Sequence, residues 1–175
     1  MTTFGEALAT QVIENPGFLK DVNALLAYQF ADTAHNKNIS LNNLQIKRLS
    51  EASVILASSP IDAHNRTAFE VITILYDQFR NKFPGIGGVT KLICSRLGNT
   101  PAIDLLDSSS LDLPVSLEVE SQTKILANTV AFGGEALTLT DFQHESLELL
   151  SNAISLSLSA PTSAGKSFLI TGMCQ

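Results

Sequence analysis

Over the first hundred positions the apolar residues recur every three or four places, and the joints between runs are short and polar. In FLKDVNALLAYQFADTAH, the residues Phe18, Val22, Leu25, Leu26, Gln29 and Phe30 fall near one side of a helical period, which predicts an amphipathic helix opening after Pro16-Gly17. After the polar connector NKNIS, Ser40 stands as the N-cap of a second helix running to about residue 57, with Leu41, Leu44, Leu49 and Leu56 as its core positions. Ser59-Pro60 breaks the pattern. Residues 62–83 read as a third helix, stopped by Pro84, Gly85, Gly87 and Gly88, and a short helix over 89–97 closes at Gly98-Asn99. Helix following helix through short joints predicts a bundle.

From about residue 101 the texture changes. DSSSLDLPVSLEVES is a Ser, Asp and Pro cluster leading into a short stretch of strand or linker, residues 119–130 suit another helix, and FGGEALTLT holds a Gly-Gly turn before a short extended segment. A domain boundary is expected between residues 106 and 134, dividing the chain into a helical domain over 1–130 and a second unit over 131–175.

Composition narrows the classes. With 175 residues, 45% of them hydrophobic and 16% charged, the chain has the apolar content of a soluble globular protein. A net charge of −6 opposes a broad basic face for nucleic acid. No apolar stretch approaches a bilayer span, and the N-terminus lacks the basic and apolar regions of a secretory signal, so no membrane association is expected. Cys94 and Cys174 stand far apart and suggest neither a disulfide framework nor a zinc site, which suits the cytoplasm. His35, His64 and His144 have no ligand-spaced partners, and Ser108 to Ser110 lack the histidine and acid that would make one of them a nucleophile.

The chemistry gathers in ISLSLSAPTSAGKSFLI, residues 154–170. Ile154, Leu156 and Leu158 alternate with serines as in a strand, and a helix-favouring run begins at Lys166, giving the strand, loop, helix order that a phosphate-binding loop requires. Successive backbone N–H groups in such a loop form a concave anion site at the positive end of the following helix. Gly165 leaves room where a Cβ would obstruct the loop, the Lys166 ammonium suits the β- and γ-phosphates, and the Ser167 hydroxyl suits Mg²⁺. Ala160 stands where the general pattern has its first glycine.

SAPTSAGKS resembles motif I of the superfamily 2 helicases, the DEAD/DEAH-box and Ski2-like ATPases, in which alanine commonly leads and Pro-Thr follows. Gln143, in LTDFQHESLELL, lies twenty-three positions before Lys166, close to the spacing of the adenine-reading glutamine of that family's Q motif. A glutamine amide donates and accepts at once, as the N6 and N7 edge of adenine demands. Thr140 and Gln143 also spell a helix capping box, and the two roles are compatible.

Together with the bundle that periodicity predicts, the resemblance implies a mainly α fold: that helical bundle followed by the first strand, P-loop and helix start of an incomplete RecA-like α/β lobe. It implies ATP and Mg²⁺ as ligands, with Gln143, Pro161, Thr162, Ser163, Ala164, Gly165, Lys166 and Ser167 binding nucleotide, Lys166 in the catalytic role and Ser167 on the metal. DNA or RNA would be contacted through other parts of such a helicase, and the acidic helical domain would bind a protein partner or regulate the enzyme. Hydrolysis also needs an acidic box, a coupling motif and arginines from a second lobe, and eight residues follow Ser167. The chain is therefore expected to be the N-terminal part of a longer ATPase and not to hydrolyse ATP alone. The alternatives are a helical protein-interaction module with a vestigial P-loop tail, and another P-loop class such as a GTPase or AAA-type ATPase, against which Ala160-Pro161-Thr162 and Gln143 weigh.

Overall fold

Thr3 and Glu6 open the first helix by capping one another: the Glu6 N–H donates to Thr3 Oγ1 at 3.2 Å and the Thr3 N–H to Glu6 Oε2 at 3.4 Å. The computed structural model describes residues 3–33, 40–107, 112–132, 134–152 and 157. This first helix, α1 (Phe4–Glu14), is one that apolar periodicity alone does not announce. Asn15 ends it and starts α2 (Pro16–Thr33), its Oδ1 accepting from the Gly17 N–H at 2.8 Å, with Pro16 at the first helical position where its missing N–H costs nothing. Phe18 and Leu25 of α2 enter the core, whereas Phe30 stays 72% exposed.

Helix α3 (Asn43–Leu56) is capped by Asn42, not by Ser40. The reason is reciprocity: the Gln45 N–H reaches Asn42 Oδ1 at 2.9 Å and the Asn42 N–H returns to Gln45 Oε1 at 3.1 Å, a pairing Ser40 lacks because Asn43 stands three places on. Leu41 and Ile46, at the two positions of a hydrophobic staple, are both buried, while Leu44 points away and is exposed. Helix α4 (Asp62–Phe79) runs through the middle of the bundle, burying Ala68, Val71, Ile72, Ile74, Leu75 and Phe79. Against it pack Ala9 of α1, Leu25 of α2, and Leu49 and Leu56 of α3, and the Tyr28 and Phe79 rings meet at 5.1 Å between centroids.

Pro84 and its glycines do not stop α4, which ends in the turn at residues 80–82; they open α5 (Gly85–Arg96). Gly88 is buried where α5 crosses the chain at Asp112, and a Cβ there would come within 2.5 Å of the Asp112 carbonyl oxygen. Helix α5 ends as expected at Gly98, whose φ of 65° is the left-handed turn of a Schellman motif: the Asn99 N–H bonds the Cys94 carbonyl at 2.9 Å and the Gly98 N–H that of Ser95 at 3.1 Å. A 3₁₀ segment (Thr100–Leu105) follows.

The stretch anticipated as strand or linker is the start of a helix, α6 (Val115–Ala127), because Pro114 precedes it and ion pairs fasten it to α5. Lys91 Nζ meets Glu118 Oε1 at 2.6 Å, and Arg96 grips both oxygens of Glu120 at 2.6 and 3.2 Å while its third nitrogen reaches Ser58 Oγ and the Val54 carbonyl of α3. The Lys91 hydrogen bond, with one from Gln122, holds the Glu118 carboxyl below its ordinary range, and the Arg96 bonds do the same for Glu120. A two-stranded antiparallel hairpin, β1 (Thr129–Phe132) and β2 (Glu135–Thr138), turns at Gly134 with φ 89°, Thr129 standing opposite Thr138. Helix α7 (Asp141–Asn152) is the last described element. The architecture is thus mainly α. Among the described residues no helix is long and apolar enough to cross a membrane.

Candidate nucleotide-binding segment

Helix α7 begins with the capping box foreseen from sequence. The Gln143 N–H donates to Thr140 Oγ1 at 3.2 Å and the Thr140 N–H to Gln143 Oε1 at 3.0 Å. Only the oxygen of the amide can accept from an N–H, so the cap fixes which way the Gln143 amide is turned. Its Oε1 keeps a second lone pair, and its Nε2 has no partner among the described residues. Gln143 itself is half-buried, and its helix continues with Ser146 buried and Glu145, Glu148 and Leu149 outward.

Two residues just before Gln143, Leu139 and Asp141, are tied to the helical bundle. Leu139, 2% exposed, donates its N–H to the Asn128 carbonyl at 2.9 Å and accepts at its own carbonyl from the buried Thr100 hydroxyl. The Asp141 N–H, one of the first-turn donors that a helix leaves without an internal partner, bonds the Gly98 carbonyl at 2.9 Å. The Asp141 carboxylate takes Asn128 Nδ2 at 2.6 Å on one oxygen and Lys124 Nζ at 2.8 Å on the other. Asn128 is buried, so its amide needs this acceptor. The start of α7 is thereby held by the end of α5, the 3₁₀ segment and the last turn of α6. An acidic residue in the first turn of α7 also sits at the favourable end of the helix dipole.

This joint was not visible in sequence. Gly98 is legible as a helix end and Asp141 as a first-turn acid, but nothing in the spacing pairs them across forty-three positions. Of the residues singled out for nucleotide, Gln143 is described, while Pro161, Thr162, Ser163, Ala164, Gly165, Lys166 and Ser167 lie outside the described residues, as do the strand positions 154, 156 and 158.

Several other polar groups have clear structural partners. His64 pairs through Nδ1 with Ser59 Oγ at 2.8 Å, both buried, and Ser59 Oγ also accepts from the Ile61 N–H at the start of α4. Asp21, 3% exposed, binds Arg48 Nη2 at 2.6 Å and Gln45 Nε2 at 3.1 Å, bracing α2 on α3 beside a groove of about 630 Å³. Burial pushes the Cys94 thiol up to about 11, which removes it as a nucleophile at neutral pH. Among the described residues there is no cluster of three or more His, Cys, Asp or Glu able to hold a metal ion. Searches against protein-family models, curated proteins and solved structures found no match.

Proposed function

We propose that this chain carries the adenine- and phosphate-binding segment of a helicase-like ATPase acting on nucleic acid, with the acidic helical bundle as a domain ahead of it. The carrying observation is Gln143: a capped helix start presents a half-buried amide with a spare acceptor lone pair and a donor that has no partner among the described residues, twenty-three positions before the lysine of a phosphate-loop sequence. That pair of groups fits adenine, which offers an N6–H donor and an N7 acceptor, and opposes guanine, whose O6 and N7 both accept. In residues 160–167 the backbone would cradle the phosphates, Lys166 would neutralise the β- and γ-oxygens, and Ser167 would take Mg²⁺. The metal would supply charge neutralisation on the phosphates.

In this reading Gln143 and residues 160–167 bind Mg-ATP, and turnover needs in addition an acidic pair that positions water and arginines that stabilise the transition state. Nucleic acid would meet other parts of the enzyme, consistent with a net charge of −6, and two thiols without a disulfide framework suit the cytoplasm.

Equilibrium titration of the chain with Mg-ATP and Mg-GTP tests the proposal. Saturable binding that favours ATP supports it; no binding, or a preference for GTP, refutes it. A helical protein-interaction module is the second reading, favoured by Val115, Val119 and Leu126, which α6 leaves exposed.

A further inference from the structure

We infer that Asp141 is a positioning residue through which the helical domain aims the Gln143 amide at the base; the inference rests on the nucleotide-binding reading above. Gln143 can discriminate adenine from guanine only if its oxygen faces N6 and its nitrogen faces N7, and such bidentate readout tolerates displacements of about half an ångström. Two fastenings supply that placement. The first is the capping box, which sets the amide's rotation relative to the turn. The second sets where the turn itself lies, and Asp141 is its centre: two residues before Gln143, it bonds three residues at the ends of α5 and α6, Gly98, Lys124 and Asn128.

The geometry separates a specific role from generic support. The Asp141 backbone N–H and the two Leu139 bonds hold the main chain regardless of the side chain at position 141. What the carboxylate adds is the direction of the first turn, because it is pulled by Asn128 and by Lys124 from the last turn of α6. Gly98 makes the arrangement possible: the carboxylate lies against its Cα where any Cβ would stand, so no other residue fits beneath Asp141. On this inference base selectivity depends on that direction, and phosphate affinity serves as the control. Removing the carboxylate therefore separates the two.

The experiment measures dissociation constants of the full 175-residue chain for Mg-ATP, Mg-GTP and Mg-tripolyphosphate, in wild type and in Asp141→Ala, with circular dichroism melts alongside. The expected result is a fall of about tenfold in the ATP to GTP preference, with tripolyphosphate affinity changed by less than about twofold. A folded Asp141→Ala chain that keeps the wild-type preference overturns the inference and leaves the nucleotide reading intact. Wild-type protein that binds none of the three probes overturns that reading, and the inference with it. If Asp141→Ala does not fold, Asp141→Asn and Lys124→Met, each deleting only the ion pair, carry the test. A drop of about threefold in both supports the role, and an unchanged ratio in either overturns it.

Discussion

Replacing Gly98 by alanine is the most informative perturbation of the joint. Two costs add. The backbone there has φ 65°, a left-handed conformation that costs a residue with a Cβ about 1 to 2 kcal/mol. The new methyl would also occupy the space of the Asp141 side chain, so Asp141 must move and release its partners. Buried Asn128 then loses its acceptor, at about 1 to 3 kcal/mol. The Lys124 ion pair, whose side chains are 38% and 36% exposed, adds under about 1 kcal/mol. Together these give a loss of about 3 kcal/mol, or roughly 10 °C in Tm for a chain of this size. Gly134→Ala isolates the first cost, since Gly134 also has positive φ, at 89°, but nothing lies within 4 Å of a Cβ placed there. It should lose only about 1 kcal/mol. Urea unfolding followed by circular dichroism measures both. Equal losses in the two variants would refute the seating of Asp141 on Gly98.

Other consequences follow from the helical bundle. With Cys174 changed to serine, the buried Cys94 thiol should resist a disulfide reagent at pH 8 in native buffer and react at once in denaturant; rapid native labelling would contradict its burial. Because its folded pKa is raised to about 11 from 9.0, Cys94 contributes stability that is full below pH 9 and declines as the pH climbs towards 11. Glu118 and Glu120 act in the opposite direction. Their folded values lie below 4.5, so the stability that Lys91 and Arg96 contribute through them is present above that pH and lost as pH falls through the folded values. Both carboxylates are partly exposed, so the effect is under about 1 kcal/mol each, and a Glu118→Gln, Glu120→Gln variant should flatten the acid limb of a stability profile taken from pH 6 to pH 3.

The helical character of the chain was legible because it is written in local terms. The apolar spacing of the helix expected over residues 62–83 and the turn at Gly98-Asn99 each depend on neighbours a few places away, and the structure has the helix over Asp62–Phe79 and the turn where the pattern puts it. Errors arose where a residue type has two uses. Pro84 and its glycines punctuate a helix from either side, and only the close passage of the chain at Asp112 shows why Gly88 belongs inside α5. Ser40 is a good capping residue in isolation, but the cap went to Asn42 because a glutamine stands three places after it. Helix α6 was misjudged over its first turn because much of what fastens it, Lys91 to Glu118 and Arg96 to Glu120, spans more than twenty positions. At the candidate site the Thr140 and Gln143 cap was readable from four letters, while its anchorage on Gly98, Asn128 and Lys124 is tertiary and leaves no periodic trace.

The central claim is that residues 160–167 hold the phosphates of a nucleotide whose base Gln143 reads. The measurement that bears on it most directly is a calorimetric titration of Mg-ATP into the wild-type chain and into Lys166→Ala. The substitution deletes the charge that, on this account, would face the β- and γ-phosphates. Saturable binding in the wild type that weakens at least about tenfold in Lys166→Ala is the predicted outcome. Equal affinity in the two proteins, or no heat in either, would contradict it.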